Sequence, residues 1–284
     1  MLIQAIGVNL PPTYERREGP LGGERPRATG DEVLLERLLP AVQEVLEQAG
    51  VDAGDIDLIV GLALSPDHLI EQRDVIGPKI GHPLQKRLGA RKAHVFDLTD
   101  SSLAKALYVA DTLAIDQGYR NVLVVRGESS QGYQADEASG FALADGAMAL
   151  LCRPTGHAVF RREPLATPGF GLAWQGLSIP LNGDLREPTD PKGRLDLPAQ
   201  PGLLDALRGQ VERLASGFPA LLAIREEWFG QQRPGGRCLG PFEVAEQLRA
   251  AQRDRLDEVV LVSFDPFAMV VEGVTLKLAG EQHA

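Results

Sequence analysis

A chain of 284 residues with 44% hydrophobic content has ample material for a large buried core. Its formal net charge of −10 and pI of about 5.1 argue against a nucleic-acid groove and against docking on anionic membranes. With two cysteines, Cys152 and Cys238, and no Cys/His ligand spacing, neither a disulfide framework nor a metal site is expected.

Leu2–Val8 predicts a strand, and the stretch Asn9–Gly30, rich in Pro, Gly and charge, a loop. The opening MLIQAIGVNL has neither the basic flank nor the apolar length of a leader, and no run approaches the ~20 apolar residues that span a bilayer. A cytoplasmic protein is the expectation. Thr29 and Glu32 form a T-x-x-E capping box for a helix to Ala49. Leu35, Leu38, Val42, Val45, Leu46 and Ala49 give that helix one apolar face, and Gly50 stops it. Pro40 is a misfit that should kink the helix or mark a late start. Ile56–Leu64 is continuously apolar, the mark of a strand buried on both faces of a parallel sheet. Pro66, Pro78 and Pro83 leave Ser65–Leu88 irregular, with one short helix before Gly89.

The stretch Ala93–Gln117 organises the rest. It reads as a strand (Ala93–Leu98), a polar turn (Thr99–Ser102) and a helix that buries Leu103, Ala106, Leu107, Ala110, Leu113 and Ala114. Asp100, Ser101 or Ser102 caps the first helical turn. A strand feeding a capped helix through so short a turn is where α/β enzymes hold a nucleophile, because the helix N-terminus favours negative charge.

Val122–Val125 is a further strand, Ser129–Ser139 a polar loop, and Ala142–Cys152 a strand opened by Ala144-Asp145-Gly146. A boundary near Arg153–Gly156 divides the chain into halves 1–155 and 156–284. Beyond it come a strand at His157–Arg162, a long connection at Pro164–Gly202, and helices at Leu203–Ala215 and, after Pro241, Phe242–Arg253. Strands Val259–Ser263 and Met269–Leu278 close the chain, joined through Asp265–Pro266. Alternating strands and helices predict an α/β fold with mainly parallel sheets.

These stretches carry a resemblance. DIDLIVGLALS, PLQKRLGARKAHVFDL, GYRNVLVVRGES and GFALADGAMALLC are similar to the strands and turns around the nucleophile of the thiolase superfamily, in particular ketoacyl-ACP synthase III. LGPFEVAEQLRAAQRDRLDEVVLVSFDPFAMVVEGVTLKLA resembles that family's last helix and closing hairpin. DLTDSSLAKALYV and LPAQPGL resemble a narrower group, the smaller subunits of heterodimeric 2-alkyl-4-quinolone synthases. The resemblance implies a five-layer α/β/α/β/α fold with a shortened C-terminal half.

It also implies three side chains that are missing. The family's acyl-accepting Cys falls within Thr99, Asp100, Ser101 and Ser102, its Asn falls at Pro241, and its His should lie where this chain has none between residues 158 and 282. The CoA-facing N-terminal segment departs too, with YERREGPLGGERPRATG and no Trp before Trp174. The implied role is a non-catalytic subunit without cofactor, paired with a catalytic thiolase-like subunit that brings Cys and His. The pair would join an octanoyl group to 2-aminobenzoylacetate, giving 2-heptyl-4-quinolone for quorum sensing. Ala93, His94, Phe96, Leu98 and Leu103 are the expected interface. Two rival readings remain: a serine-dependent acyltransferase using Ser101 or Ser102 with Asp100 or His94 nearby, and a homodimeric acyl-binding scaffold. Asp145 reads as a turn residue accepting local N–H groups, Cys152 as a small buried hydrophobe, and Cys238, after Gly235–Gly236, as a loop cysteine without a strand-to-helix setting or a nearby His.

Overall fold

The structure is a computed structural model and describes residues 1–17, 23–28, 33–64, 80–98, 101–129, 133–135, 144–165, 173–175, 193–196, 203–218, 221–226, 236–265 and 267–280. In chain order the strands are β1 (Leu2–Asn9), β2 (Tyr14–Arg17), β3 (Gly23–Pro26), β4 (Leu58–Leu62), β5 (His94–Asp97), β6 (Val122–Glu128) and β7 (Tyr133–Ala135). They continue with β8 (Gly146–Arg153), β9 (Phe160–Pro164), β10 (Ala173–Gln175), β11 (Gly193–Asp196), β12 (Leu222–Arg225), β13 (Glu258–Asp265) and β14 (Val270–Leu278). The helices are α1 (Leu34–Ala49), α2 (Gly81–Leu88), α3 (Leu103–Gln117), α4 (Leu203–Ser216) and α5 (Glu243–Arg253).

Nine strands form one sheet in the order β12-β13-β14-β1-β8-β6-β4-β5, with β9 also paired to β14. The expectation of mainly parallel pairing needs correction: β8 runs antiparallel to β1 and β6, and β14 antiparallel to β13 and β9. The reason lies in the connections. Helices α2, α3 and α5 carry the crossovers that make β4–β5, β4–β6 and β12–β13 parallel, whereas no helix is described between β6 and β8 or between β13 and β14.

The order contains a repetition. In β5-β4-β6-β8-β1, β1 pairs antiparallel with β8, β8 antiparallel with β6, and β6 parallel with β4. The sequence β12-β13-β14-β9 repeats that pattern, but no described strand lies outside β12 where β5 lies outside β4. The shortened second half is therefore a repeat without its outermost strand among the described residues. The β1–β8–β6–β4–β5 part and the β9–β14–β13–β12 part form two layers, called the first and second sheets below, joined at a narrow seam, Leu2↔Lys277 and Ile3↔Leu278.

Side chains cover β1 where it leaves β14. The Ile6 and Val8 N–H groups donate to Gln48 Oε1 (3.3 Å) and Glu44 Oε2 (3.1 Å), and Arg249 donates to the Ile6 carbonyl (2.9 Å) and to Glu44 (2.6 Å). Helices α3 and α5 fill the space between the sheets, α1 and α2 cover the outer face of the first, and α4 the outer face of the second. That is the five-layer α/β/α/β/α fold. Strand β6 shows why the apolar runs are unbroken: Val122 and Val124 face the middle layer while Leu123 and Val125 face α1.

Local expectations fare unevenly. Capping-box residues Thr29 and Glu32 lie outside the described residues; α1 starts at Leu34 with no side-chain cap. Pro40 sits inside α1 with its ring exposed, neither starting nor ending the helix. Asn9–Gly30 is not wholly loop, because β2 and β3 pair as a hairpin. Tertiary contacts override its composition: Glu24 N–H donates to Gly236 O (2.5 Å), Cys238 N–H to Glu24 O (2.9 Å) and Asp145 N–H to Pro26 O (3.0 Å). Short strands β7, β10 and β11 form a separate sheet within stretches read as polar loop and connection. No helix among the described residues is long and apolar enough to cross a membrane.

Helix α1 rests on β1 at Gly7, where a Cβ would come within 2.0 Å of the Ala41 carbonyl oxygen. Backbone cannot move aside cheaply, so Gly7→Ala should destabilise the fold by about 1–3 kcal/mol, the usual range for overpacking. A urea unfolding midpoint equal to the parent's would show that α1 is not seated this closely.

Candidate functional site

Strand β5 ends the sheet. The His94 and Leu98 N–H groups donate to the Asp57 and Gly61 carbonyls (both 2.8 Å), so the backbone of Val95 and Asp97 faces outward. No described strand covers that edge. The Asp97 carboxylate turns back to accept from the Ile80 and Gly81 N–H groups (2.7 and 3.0 Å), tying β5 to the start of α2.

Of the five expected interface residues, His94 is exposed, and Phe96 and Leu98 are half-buried against the middle layer. The other two are buried. Ala93 packs into the layer beneath α1 and α2, and Leu103 is fully buried between the sheets. Leu103 opens the apolar stripe of α3, so it supports the turn from below and offers no surface.

Thr99 and Asp100 lie outside the described residues, while Ser101 and Ser102 are buried. Ser102 is the N-cap of α3, its Oγ accepting from Lys105 N–H (3.1 Å) and donating to the Glu272 carboxylate. The neighbouring Ala104 N–H donates to Ser263 Oγ (3.2 Å), and Ala106 N–H to the Ser102 carbonyl (3.1 Å). Ser263 belongs to β13 and Glu272 to β14. The free donors of a helix start are thus taken up by side chains of the second sheet and by the cap itself.

Behind this turn lies a buried ionic cluster. Arg126, with no solvent exposure, donates to Glu128 Oε1 (3.0 Å) and to Glu226. Glu128 also accepts from Leu64 N–H (3.1 and 2.9 Å), and Arg37 donates to the Glu128 carbonyl (3.3 Å). Burial pushes the Glu226 carboxyl up from its ordinary range, against Arg126, the Ser263 hydroxyl and the Leu103 N–H, which favour the charged form. Burial likewise raises Glu272, opposed by Ser102 and, more weakly, by Lys105 and Arg162; Asp265 reinforces the rise. Arg162 lies 3.2 Å from Glu272.

Sequence reading passed over this cluster. Its signal was present: Arg126, Glu128 and Glu272 interrupt largely apolar strands, and a charge in a doubly covered strand needs a partner.

The remaining candidates are structural. Asp145 accepts the backbone N–H of Ala28 (2.8 Å), far away in sequence, and so anchors the β3 end. Pro241 sits in a 3₁₀ turn, Gly240–Phe242, whose Phe242 ring packs on Gly146. Cys152 and Cys238 are buried, and burial drives the Cys152 thiol far above its usual range. His94 lies near Tyr119 Oη (3.4 Å) at the start of β5, about 13 Å up the strand from Leu98. It cannot serve a turn that follows the strand's other end.

Comparisons with known proteins fit this geometry. No protein-family model matches. The 2-heptyl-4(1H)-quinolone synthase subunit PqsB of Pseudomonas aeruginosa is 72% identical over 284 residues, covering 100% of both chains. The chain belongs to the PqsB family of quinolone synthase subunits. Among solved structures, the priming β-ketosynthase of the R1128 polyketide pathway superposes with a TM-score of 0.72 at 18% identity, covering 99% of this chain and 96% of that one. The 3-oxoacyl-[acyl-carrier-protein] synthase III of Aquifex aeolicus gives 0.68 at 16% identity, covering 97% and 99%. At that distance the two structures establish the thiolase-like fold alone. In this PqsB-family chain, the turn that follows β5 ends in Ser102, which caps α3 and is bonded to the Glu272 carboxylate.

The raised carboxyls set a pH dependence. A carboxyl whose folded pKa exceeds its unfolded value, roughly 4.3 for Glu, contributes stability that is full below that value and is lost as pH rises through the folded pKa. Urea midpoints should therefore fall from pH 5 upward, and Glu272→Gln, which cannot ionise, should flatten part of the slope. An unchanged slope in a folded Glu272→Gln variant would show that Glu272 is not among the groups responsible.

Proposed function

We propose that this chain is the non-catalytic subunit of a heterodimeric ketoacyl-ACP synthase III-like condensing enzyme, a 2-heptyl-4-quinolone synthase. In it a partner subunit supplies the Cys and His. The reaction joins an octanoyl group to 2-aminobenzoylacetate, yielding a quorum-sensing signal. Full-length identity of 72% to PqsB supports the assignment. The observation that carries the non-catalytic role is the start of α3. A thiolate there would need free N–H donors and a low negative charge density, yet the Ala104 and Lys105 donors are spent on Ser263 and Ser102, and Glu272 lies against Ser102. Pro241 has neither an amide side chain nor an N–H to donate to an oxyanion. The serine-enzyme alternative loses ground because Ser102 is 1% and Glu272 0% exposed, closed to a substrate. As part of the same proposal, the chain comprises two thiolase-like halves, 1–155 and 156–284, and works in the cytoplasm.

Incubation of the isolated chain with octanoyl-CoA, followed by intact mass measurement, should leave the mass unchanged. An octanoyl increment mapped to Ser101 or Ser102 would restore the serine-enzyme reading.

The proposed interface is the open edge of β5, flanked by His94, Phe96 and Leu98. A strand of the partner pairing there would satisfy the outward backbone of Val95 and Asp97. Phe96→Asp or Leu98→Asp should abolish association and the partner's turnover, since an unpaired charge desolvated at an interface costs several kcal/mol. Both side chains also touch the middle layer, so Val95→Pro is the sharper variant: it removes an outward N–H without touching the bonds to β4. Light scattering and turnover measured on a folded Val95→Pro variant decide the matter. A dimeric, active complex would place the interface elsewhere.

A further inference from the structure

The long sheet has two ends, and they differ. At the β12 end, Glu226 N–H donates to Val262 O (3.0 Å) and the register runs Leu222↔Val259 to Arg225↔Val262. Alternation then turns the backbone of Ala223 and Arg225 outward. Unlike the outward residues of β5, Arg225 is occupied on both groups. Its N–H donates to Gln247 Oε1 (3.0 Å), and Gln247 Nε2 donates to its carbonyl (2.9 Å). A primary amide carries the same acceptor and donor as a peptide group, so one side chain of α5 does what a neighbouring strand would do.

The repeated strand order identifies what would otherwise stand there. In the first half, the matching edge of β4 receives β5 through the Asp57 and Gly61 carbonyls. Among the described residues the second half has no such strand, while β5 itself presents an unpaired outer edge. Strand addition from β5 of one molecule to β12 of the next would join two different surfaces, and an interface of that kind propagates unless its rotation closes a ring. Leu222, half exposed beside this edge, would add apolar contact to the pairing.

We propose that Gln247 is a strand-edge plug: its side-chain amide closes the slot beside β12 that the β5 edge of a second copy of this chain would enter. Of the two terminal strands of the sheet order, the plug leaves β5 as the one open to pairing among the described residues.

The test uses the full chain. Gln247→Ala, and Gln247→Met, which keeps side-chain bulk over Arg225 but has no amide, are compared with the parent by sedimentation across a concentration series. Circular dichroism checks folding. Both variants should show a weight-average mass that climbs with concentration to several times the parent's. Adding Ala223→Pro, which deletes the other outward N–H of β12, should return the mass to the parental value. A labelled peptide of residues 92–98 should bind Gln247→Met and not the parent. The proposal is overturned if Gln247→Met, folded, keeps the parental mass at every concentration, or if its self-association survives Ala223→Pro, which would mark non-specific aggregation.

Discussion

A guanidinium without solvent contact has to be neutralised where it stands, and Arg126 meets that requirement with groups from both sheets. Glu128 lies on its own strand, whereas Glu226 follows β12 in the other sheet. Removing one partner from such a cluster leaves a buried charge uncompensated, at a cost of about 3–5 kcal/mol. Replacing the whole cluster by apolar residues carries no such penalty, so its presence is better explained by the register it imposes than by net stabilisation. The adjacent bonds have the same character: Ser102 to Glu272 and Ala104 to Ser263 also run from the first sheet's turn to the second sheet's strands. With the backbone seam limited to two residue pairs, these polar contacts and the apolar middle layer hold the sheets in one arrangement.

The same bonds explain why the turn is ill suited to covalent catalysis. A helix start favours a nucleophilic anion when its N–H groups and dipole are unopposed. Here hydroxyls consume two N–H groups, and the carboxyls of Glu226 and Glu272 add negative charge or, once protonated, their own hydrogen-bonding demands. Installing a cysteine at Ser101 or Ser102 would put a thiol into surroundings that oppose its ionisation. The departure from a condensing enzyme is thus distributed over both halves and does not reduce to one missing sulfur atom.

What the sequence disclosed follows from which interactions are local. Val122–Val125 and Ile56–Leu64 announced doubly covered strands through unbroken apolar runs, and the α3 stripe announced a helix with one buried side, since each depends on its own periodicity. Strand direction was less legible, because β8 and β14 reverse through connections in which no helix is described. The β2–β3 hairpin was invisible, being held by Gly236, Cys238 and Asp145 from distant parts of the chain. At the candidate site, missing Cys, His and Asn residues were legible as absences. The carboxylates beside Ser102 were not, because Glu272 reaches the turn only through a fold that brings residues 170 positions apart into contact.

The repeated strand order leaves an edge at each end of the sheet, and among the described residues those edges are unequal. There β12 lacks the neighbour that β4 has in β5, and α5 lays Gln247 against Arg225. A solvent-exposed row of peptide groups is a hazard when it is long and unblocked; here one end is short and carries a side-chain amide. The other end, beside β5, carries no such cover among the described residues, and Asp97, the one carboxylate in that strand, accepts from the start of α2. An edge that keeps its outward backbone groups free while its counterpart is blocked is an edge suited to a specific partner. This inequality favours a pairwise assembly through β5 over open-ended growth, the arrangement expected of a subunit that works beside one partner.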